Sequence, residues 1–324
     1  MPIIQITNTY KGDVLAIAKS CVPEGFEVRT LPENTEDALL ACVSDADYIL
    51  ASGRVKINQA MLEKADKLKM IQRTGVGLDS LDLNALKGAG IPLYVNKGVN
   101  AQSVAEHALL FMMACLRKLP EINQNTKNGV WDKQKQGVKT RELSGKTVGI
   151  IGMGSIGRSL AALLKPFKVC VLYVDVNQQP EDVEKELGLT YVDYKDLYQK
   201  SDIISIHCPL FDLNRHMICK RTIEQMKDGV ILINTARGGL VCASDLADAV
   251  KSGKVAAAGI DVYEQEPVKE NNPLLSLPQV ITTPHIGGVT YDSFYHMMHD
   301  AMQNIKLFEN GKLEAIEQFR YSMV

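Results

Sequence analysis

The chain has 324 residues, 36 basic against 38 acidic side chains and a net charge of −2, a balance with no cationic surplus for nucleic acid and no acidic excess to hold it unfolded. At 46% hydrophobic and 23% charged residues it reads as a soluble globular protein, and its length suggests about two domains with cores that need no covalent staples. Seven scattered cysteines without a Cys-x-x-Cys pair suit neither a zinc ribbon nor a disulfide framework, and they favour a reducing compartment. The opening Met1-Pro2-Ile3-Ile4-Gln5 does not read as a signal peptide, and the longest uncharged apolar run, 108–116, is too short for a bilayer. A cytoplasmic location with no membrane partner is therefore expected.

In chain order, short β-branched runs at 3–6, 48–50, 68–71 and 93–95 read as strands. A long helical pattern then covers 101–127. Further strands are expected at 147–151, 169–174, 203–207, 230–234 and 280–283, with helices at 156–164 and 244–251. Several of these runs are continuously apolar, as strands buried on both faces of a parallel sheet are. The alternation predicts an α/β protein with parallel sheets and no fixed repeat. An apolar helical spacing over 297–308 suggests that the C-terminus packs back on the N-terminal part. The expected domains are 1–99 with 289–324, and a continuous insert over 100–288.

The sequence Thr147-Val148-Gly149-Ile150-Ile151 leads into Gly152-Met153-Gly154-Ser155-Ile156-Gly157, between a predicted strand and a helix. Alone, such a Gly-x-Gly-x-x-Gly pattern is a weak signal that a tight turn also explains. Here the next apolar strand ends at Asp175, at the spacing of a dinucleotide site. Gly152 permits the turn, Gly154 lets the backbone approach a pyrophosphate, and Gly157 lets the helix pack on the strand. The helix start supplies amides and positive dipole. Asp175 suits ribose hydroxyls and repels a 2′-phosphate, and Val176-Asn177-Gln178-Gln179 offers no cation to offset that. NAD is the expected cofactor.

Three later segments place polar groups after apolar strands: Asn234-Thr235-Ala236-Arg237, Asp261-Val262-Tyr263 with Glu266-Pro267, and Pro284-His285-Ile286-Gly287-Gly288. In an open α/β sheet the carboxyl ends of strands line the ligand crevice. Singly, Arg237, Glu266 and His285 have bland readings as a surface cation, a loop acid and a loop histidine. Together they are the groups that hydride transfer to a 2-keto acid requires.

With Thr74-Gly75-Val76-Gly77-Leu78-Asp79, Asn100-Ala101-Gln102-Ser103-Val104-Ala105-Glu106 and His207-Cys208-Pro209-Leu210, these motifs resemble the D-isomer-specific 2-hydroxyacid dehydrogenases over most of the chain. Within that family the chain is most similar to the short phosphoglycerate dehydrogenase and hydroxypyruvate reductase type. The expected architecture is two doubly wound parallel-sheet domains, a Rossmann NAD-binding domain inserted into a flavodoxin-like substrate domain. The resemblance implies that Arg237 grips the substrate carboxylate, that His285 exchanges a proton with the substrate oxygen, and that Glu266 orients His285 and favours its charged form. It implies cofactor contacts from Gly152, Gly154, Ser155, Ile156, Gly157, Asp175, His207, Cys208, Pro209, Thr235 and Asp261. The Asp261 contact would be with the nicotinamide carboxamide. The Val76-Gly77 amides would meet the substrate carboxylate. After Leu210 the chain departs from the family's Thr-Pro-x-Thr-like turn, reading Phe211-Asp212-Leu213-Asn214.

Arg54 and Arg73 read either as ligands for a phosphate or second carboxylate, or as structural arginines. The run 108–116 reads either as domain core or as the face of a homodimer. The expected function is NAD-dependent interconversion of a 2-keto acid and a D-2-hydroxy acid, without a metal. The alternative is a cofactor-sensing binding protein of the corepressor type on the same scaffold.

Overall fold

Among the described residues every pairing between named strands is parallel, so successive strands are joined by crossovers that carry helix or loop over a sheet face. The computed structural model describes residues 1–52 and 55–322. They form two units, 1–100 with the chain from Tyr291 onward, and Ala101–Thr290.

The first unit holds β1 (Ile3–Ile6), β2 (Glu27–Arg29), β3 (Tyr48–Ala51), β4 (Met70–Arg73) and β5 (Leu93–Val95), in the order β2-β1-β3-β4-β5. This is the flavodoxin-like order. Three of its crossover helices start where side chains replace missing backbone partners: Thr35, Asn58 and Asp82 accept from the amides of Ala38, Met61 and Ala85. The C-terminal helix Tyr291–Glu309 packs Met298, Ala301, Met302 and Ile305 against Ile4, Ile6, Tyr48 and Met70. Buried Asn96 ties this helix to the sheet. Its Nδ2 donates to the Met297 carbonyl (3.1 Å), while its Oδ1 accepts from Gln72 (3.1 Å) and Asn304 (3.2 Å).

The second unit holds β6 (Thr147–Ile151), β7 (Cys170–Val174), β8 (Leu189–Tyr191), β9 (Ile203–Ile206), β10 (Val230–Asn234), β11 (Val255–Ile260) and β12 (Val280–Thr282). Their order, β12-β11-β10-β9-β6-β7-β8, is the Rossmann arrangement extended by one strand. The expected strands are present with ends shifted by a residue or two. Two strands that patterning does not predict, β2 and β8, are short edge strands with charged or exposed residues and no apolar run. Only the end of β11 is legible, because its Ala-Ala-Ala-Gly interior has little β propensity.

The helical pattern over 101–127 is two helices, Ala101–Leu116 and Leu119–Lys127, separated where Lys118 takes φ +50° and Pro120 opens the second. Most of 108–116 is core: Ala108, Phe111, Met112, Cys115 and Leu116 pack against Val148, Ile150 and Leu160. Among the described residues no helix is long and apolar enough to cross a membrane.

The helix Ala101–Leu116 lies so close to β11 that a Cβ on Gly259 would sit 2.5 Å from the Phe111 ring. Gly259→Ala is expected to cost about 1–3 kcal/mol by overpacking. Phe111→Leu in the same chain should return part of it, as urea unfolding of both variants would show. Additive losses would rule out this contact as the cause.

Candidate active site

The loops that leave the carboxyl ends of β6, β7, β9, β10, β11 and β12 carry nearly all the predicted site residues. After β6 the chain turns at Gly152, where φ is +97° and a Cβ would lie 2.7 Å from the Cys208 amide nitrogen. Only glycine accommodates both. Gly157, near the start of the helix Ser155–Leu164, lies under the Gly152 carbonyl, which a Cβ there would strike. Ser155 is exposed and Ile156 half-buried at the helix start, with Gly154 as its cap. Asp175, just past β7, accepts from the Met153 amide (2.5 Å) and the Val176 amide (2.6 Å). Its carboxylate holds the glycine loop and retains acceptor positions for hydroxyl donors.

His207 and Cys208 follow β9, and the His207 amide donates to the Ile151 carbonyl (2.7 Å), joining this turn to the glycine loop. His207 Nε2 bonds the Ser205 hydroxyl (2.8 Å), while its buried Nδ1 has no partner. Burial pushes this imidazole down to about 4, so it is neutral near pH 7. Burial likewise pushes the Cys208 thiol up to about 11, and nearby Asp175 adds to the shift, so sulfur stays protonated. Thr235 Oγ1, just beyond β10, is a second buried polar atom without a partner. A buried polar group left unpaired costs about 1–3 kcal/mol. Two such atoms beside a glycine loop with a helix start and a carboxylate fit a polar dinucleotide. Exposed Pro209 offers its carbonyl to Asn214 Nδ2 (2.8 Å), and Asn214 Oδ1 accepts from the Phe211 amide (2.7 Å). These bonds close the turn where the family's threonines are missing.

The other strand ends form one bonded cluster. Half-buried Arg237 follows a turn closed by Asn234, whose Nδ2 donates to the Arg237 carbonyl (2.9 Å) and whose Oδ1 accepts from the Ala236 amide (3.1 Å). The guanidinium Nη1 donates to the Ala236 carbonyl (2.8 Å). Gly238 lies against the Tyr263–Glu264 backbone, where a Cβ would overlap it. Glu266 divides its oxygens: Oε1 accepts from the Tyr263 amide (2.9 Å) and Oε2 meets His285 Nδ1 at 2.8 Å. The Glu266 side chain is 14% exposed and that of His285 39%. The carboxylate thus fixes the tautomer with the ring proton on Nδ1.

Asp261 is 1% exposed. Its Oδ1 accepts from Thr283 Oγ1 (2.5 Å) and the Ile286 amide (2.9 Å), and its Oδ2 accepts from the Gly287 amide (2.8 Å). Three of its roughly four acceptor positions are therefore filled from within the protein. These bonds flank His285, whose φ of +58° is left-handed and costs a non-glycine residue roughly 1–2 kcal/mol.

In the first unit, the turn after β4 exposes Val76, with Gly77 partly buried. Arg73 anchors it: Nε donates to the Gly77 carbonyl (2.7 Å) and Nη1 to the Ala51 carbonyl (3.0 Å). These two bonds support the structural reading of Arg73. Arg54 lies outside the described residues. Among the described residues no cluster of three or more His, Cys, Asp or Glu side chains is arranged to hold a metal.

Residues 109–287 match the family described as D-isomer specific 2-hydroxyacid dehydrogenase, NAD binding domain. The chain belongs to this family. Within it, the chain is 39% identical over 270 residues to the D-3-phosphoglycerate dehydrogenase of Archaeoglobus fulgidus, covering 83% of this chain and 50% of that one. It is also 39% identical over 270 residues to the hydroxypyruvate reductase of Thermotoga maritima, covering 82% and 86%. The chain therefore spans about half the length of the first relative and most of the second. The D-lactate dehydrogenase of Aquifex aeolicus, solved with NAD and lactic acid, superposes with a TM-score of 0.85 at 29% identity over 98% of both chains. The glycine loop of this dehydrogenase-family chain therefore lies in a domain of the NAD-binding type.

Two residues of the cluster escape sequence reasoning. His107, on the apolar face of the helix Ala101–Leu116, sits with Nε2 3.1 Å from Thr283 Oγ1. Thr283 ends an apolar strand as an ordinary polar residue would. The only sequence signal for His107 is a histidine three and four residues from buried Val104 and Phe111, and that more often means a satisfied core residue.

Because His207 holds its proton less tightly folded than unfolded, the unfolded chain binds more protons between about pH 4 and pH 6.5. Its contribution to stability is complete above pH 6.5 and falls as pH drops toward 4. Urea midpoints across that range should therefore decline less steeply in His207→Gln than in the parent protein. Equal slopes would contradict a buried neutral imidazole.

Proposed function

We propose that the protein is an NAD-dependent oxidoreductase that interconverts a small 2-keto acid and its D-2-hydroxy acid, with His285 as the acid and base. The observation that carries this reading is the 2.8 Å His285–Glu266 pair on strand-end loops of the NAD-binding-type unit. Bound NAD supplies the hydride-transfer chemistry. Gly152, Gly154, Ser155, Ile156 and Gly157 would hold its phosphates, Asp175 its ribose, and His207, Cys208, Pro209, Thr235 and Asp261 the remaining polar edges.

In the reductive direction His285 gives its Nε2 proton to the substrate's keto oxygen, and in the oxidative direction it takes that proton back. Glu266 stabilises the imidazolium and keeps the ring oriented between the two events. Arg237 presents a planar fork of donors suited to a carboxylate, and the same cation polarises the keto group. The Val76–Gly77 amides, on the turn pinned by Arg73, are the donors that the substrate-domain unit offers to a carboxylate. The names of the relatives point to two- and three-carbon acids: 3-phosphoglycerate, hydroxypyruvate and, from a glyoxylate reductase of Thermococcus litoralis 35% identical over 280 residues, glyoxylate.

The test is NADH oxidation against a panel of glyoxylate, hydroxypyruvate, pyruvate, branched keto acids and phosphohydroxypyruvate. His285→Ala should lose about 10²–10⁴-fold in kcat, whereas Arg237→Ala should raise KM as well as lower kcat. A chain that binds NADH and turns over none of these acids would overturn the proposed activity.

We further infer a homodimer. The segment after the core helix exposes Leu119, Val130, Trp131 and Val138, and the only tryptophan of the chain is 86% exposed. Leu110, on the outward side of the helix Ala101–Leu116, is exposed too. Apolar side chains concentrated in this way mark association surfaces, and two-fold pairs are the commonest soluble oligomers. Light scattering at micromolar concentration should give twice the chain mass. Trp131→Ala should shift the equilibrium toward monomer, and a monomeric parent protein would remove the claim.

A further inference from the structure

We propose that His107 and Thr283 are positioning residues for His285, acting through the buried carboxylate of Asp261. The inference rests on the proposed oxidoreductase reading for its kinetic consequences, while its geometry stands on the second unit alone.

The hydrogen positions follow from counting. Thr283 has one hydroxyl proton, and the 2.5 Å contact directs it toward Asp261 Oδ1, which also accepts from the Ile286 amide. Thr283 Oγ1 is then an acceptor toward His107 Nε2 at 3.1 Å, so His107 carries its proton on Nε2 and donates. The chain of bonds runs from the helix Ala101–Leu116 through a strand-end hydroxyl to a carboxylate, and from there to the two amides that follow His285. His107 Nε2 also lies 3.8 Å from Asp261 Oδ1, and its side chain is only 13% exposed. Burial lowers the affinity of the ring for a second proton, with Asp261 opposing, so the ring is a neutral donor near pH 7.

The packing leaves this arrangement little freedom. A Cβ on Gly287 would come 2.9 Å from Asp261 Oδ2 and 3.2 Å from His107 Cδ2, so the loop backbone is held against both side chains. The imidazole also packs edge-to-face against Phe111, with ring centroids 4.4 Å apart. A carboxylate in a buried site needs its hydrogen bonds to keep one orientation. If it turns, the Ile286 and Gly287 amides lose their acceptor and the left-handed backbone at His285 loses the bonds that offset its strain. A displacement of the acid–base nitrogen by an ångström is enough to cost about 10²-fold in rate.

Four single variants and one double variant test this: Thr283→Val and His107→Leu remove a bond, and Thr283→Ser and His107→Gln retain it. Two readouts are taken on the full chain, steady-state kinetics with the best acid of the panel and amide hydrogen exchange at Ile286 and Gly287. Thr283→Val and His107→Leu should each lose about tenfold or more in kcat, with NADH affinity changed less than about threefold, and should exchange both amides faster. Thr283→Ser and His107→Gln should recover most of the loss. The double variant His107→Leu with Thr283→Val should be little worse than Thr283→Val alone, because the two residues act in one chain. Unchanged exchange at the two amides in Thr283→Val would overturn the proposal, as would single losses in kcat that multiply in the double variant. A parallel fall of NADH affinity and kcat would also overturn it, by assigning the chain of bonds to the cofactor. If the parent protein turns over no keto acid, the oxidoreductase reading fails and the exchange readout alone decides the positioning role.

Discussion

Parallel strand order is the constraint on which the rest of the second unit depends. Each crossover returns the chain to the same edge, so all seven strands end on one side and their following loops gather there. Residues as distant in sequence as Gly152, His207, Arg237, Asp261 and His285 become strand-end neighbours by topology alone. The helices that make the crossovers bury apolar faces on the sheet, and that burial stabilises the scaffold while the loops carry polar groups. The close approaches at Gly152, Gly157 and Gly259 set how tightly helix, strand and loop fit together.

At that edge three acids do related work by different means. Asp175 binds backbone amides of the glycine loop and of its own turn. Asp261 is wholly enclosed and binds a hydroxyl and two amides around His285. Glu266 holds one amide with one oxygen and the imidazole with the other. In each case a carboxylate accepts amides of a strand-end loop. The acid that faces the His285 ring also sets its tautomer. A chain with almost no net charge thus carries strongly local electrostatics at this edge.

Much of this was legible in the residues. Apolar runs ending in Asp175, His207, Arg237 and His285 mark strands of a parallel sheet, and the glycine spacing marks a tight strand-to-helix turn. Short edge strands such as β2 and β8 were not legible, since a half-exposed strand of three residues has no pattern to show. The Ala-rich β11 was hidden for a different reason, because its close contact with Phe111 requires small residues that lack strand propensity. The division of the long helical pattern at Lys118 depends on one left-handed residue that helix periodicity does not register.

By itself the sequence determined the element types, the chemistry available at each strand end and the membership in a family of NAD-dependent dehydrogenases, because propensity, alternation and motif spacing are local properties. Tertiary structure alone decided which polar groups meet. Glu266 and His285 are 19 residues apart and Thr283 and His107 are 176 apart, and no local pattern specifies such pairs. Their contact follows from strand order, from crossovers that bring the helix Ala101–Leu116 against β11, and from a buried carboxylate that must find its donors where packing puts them.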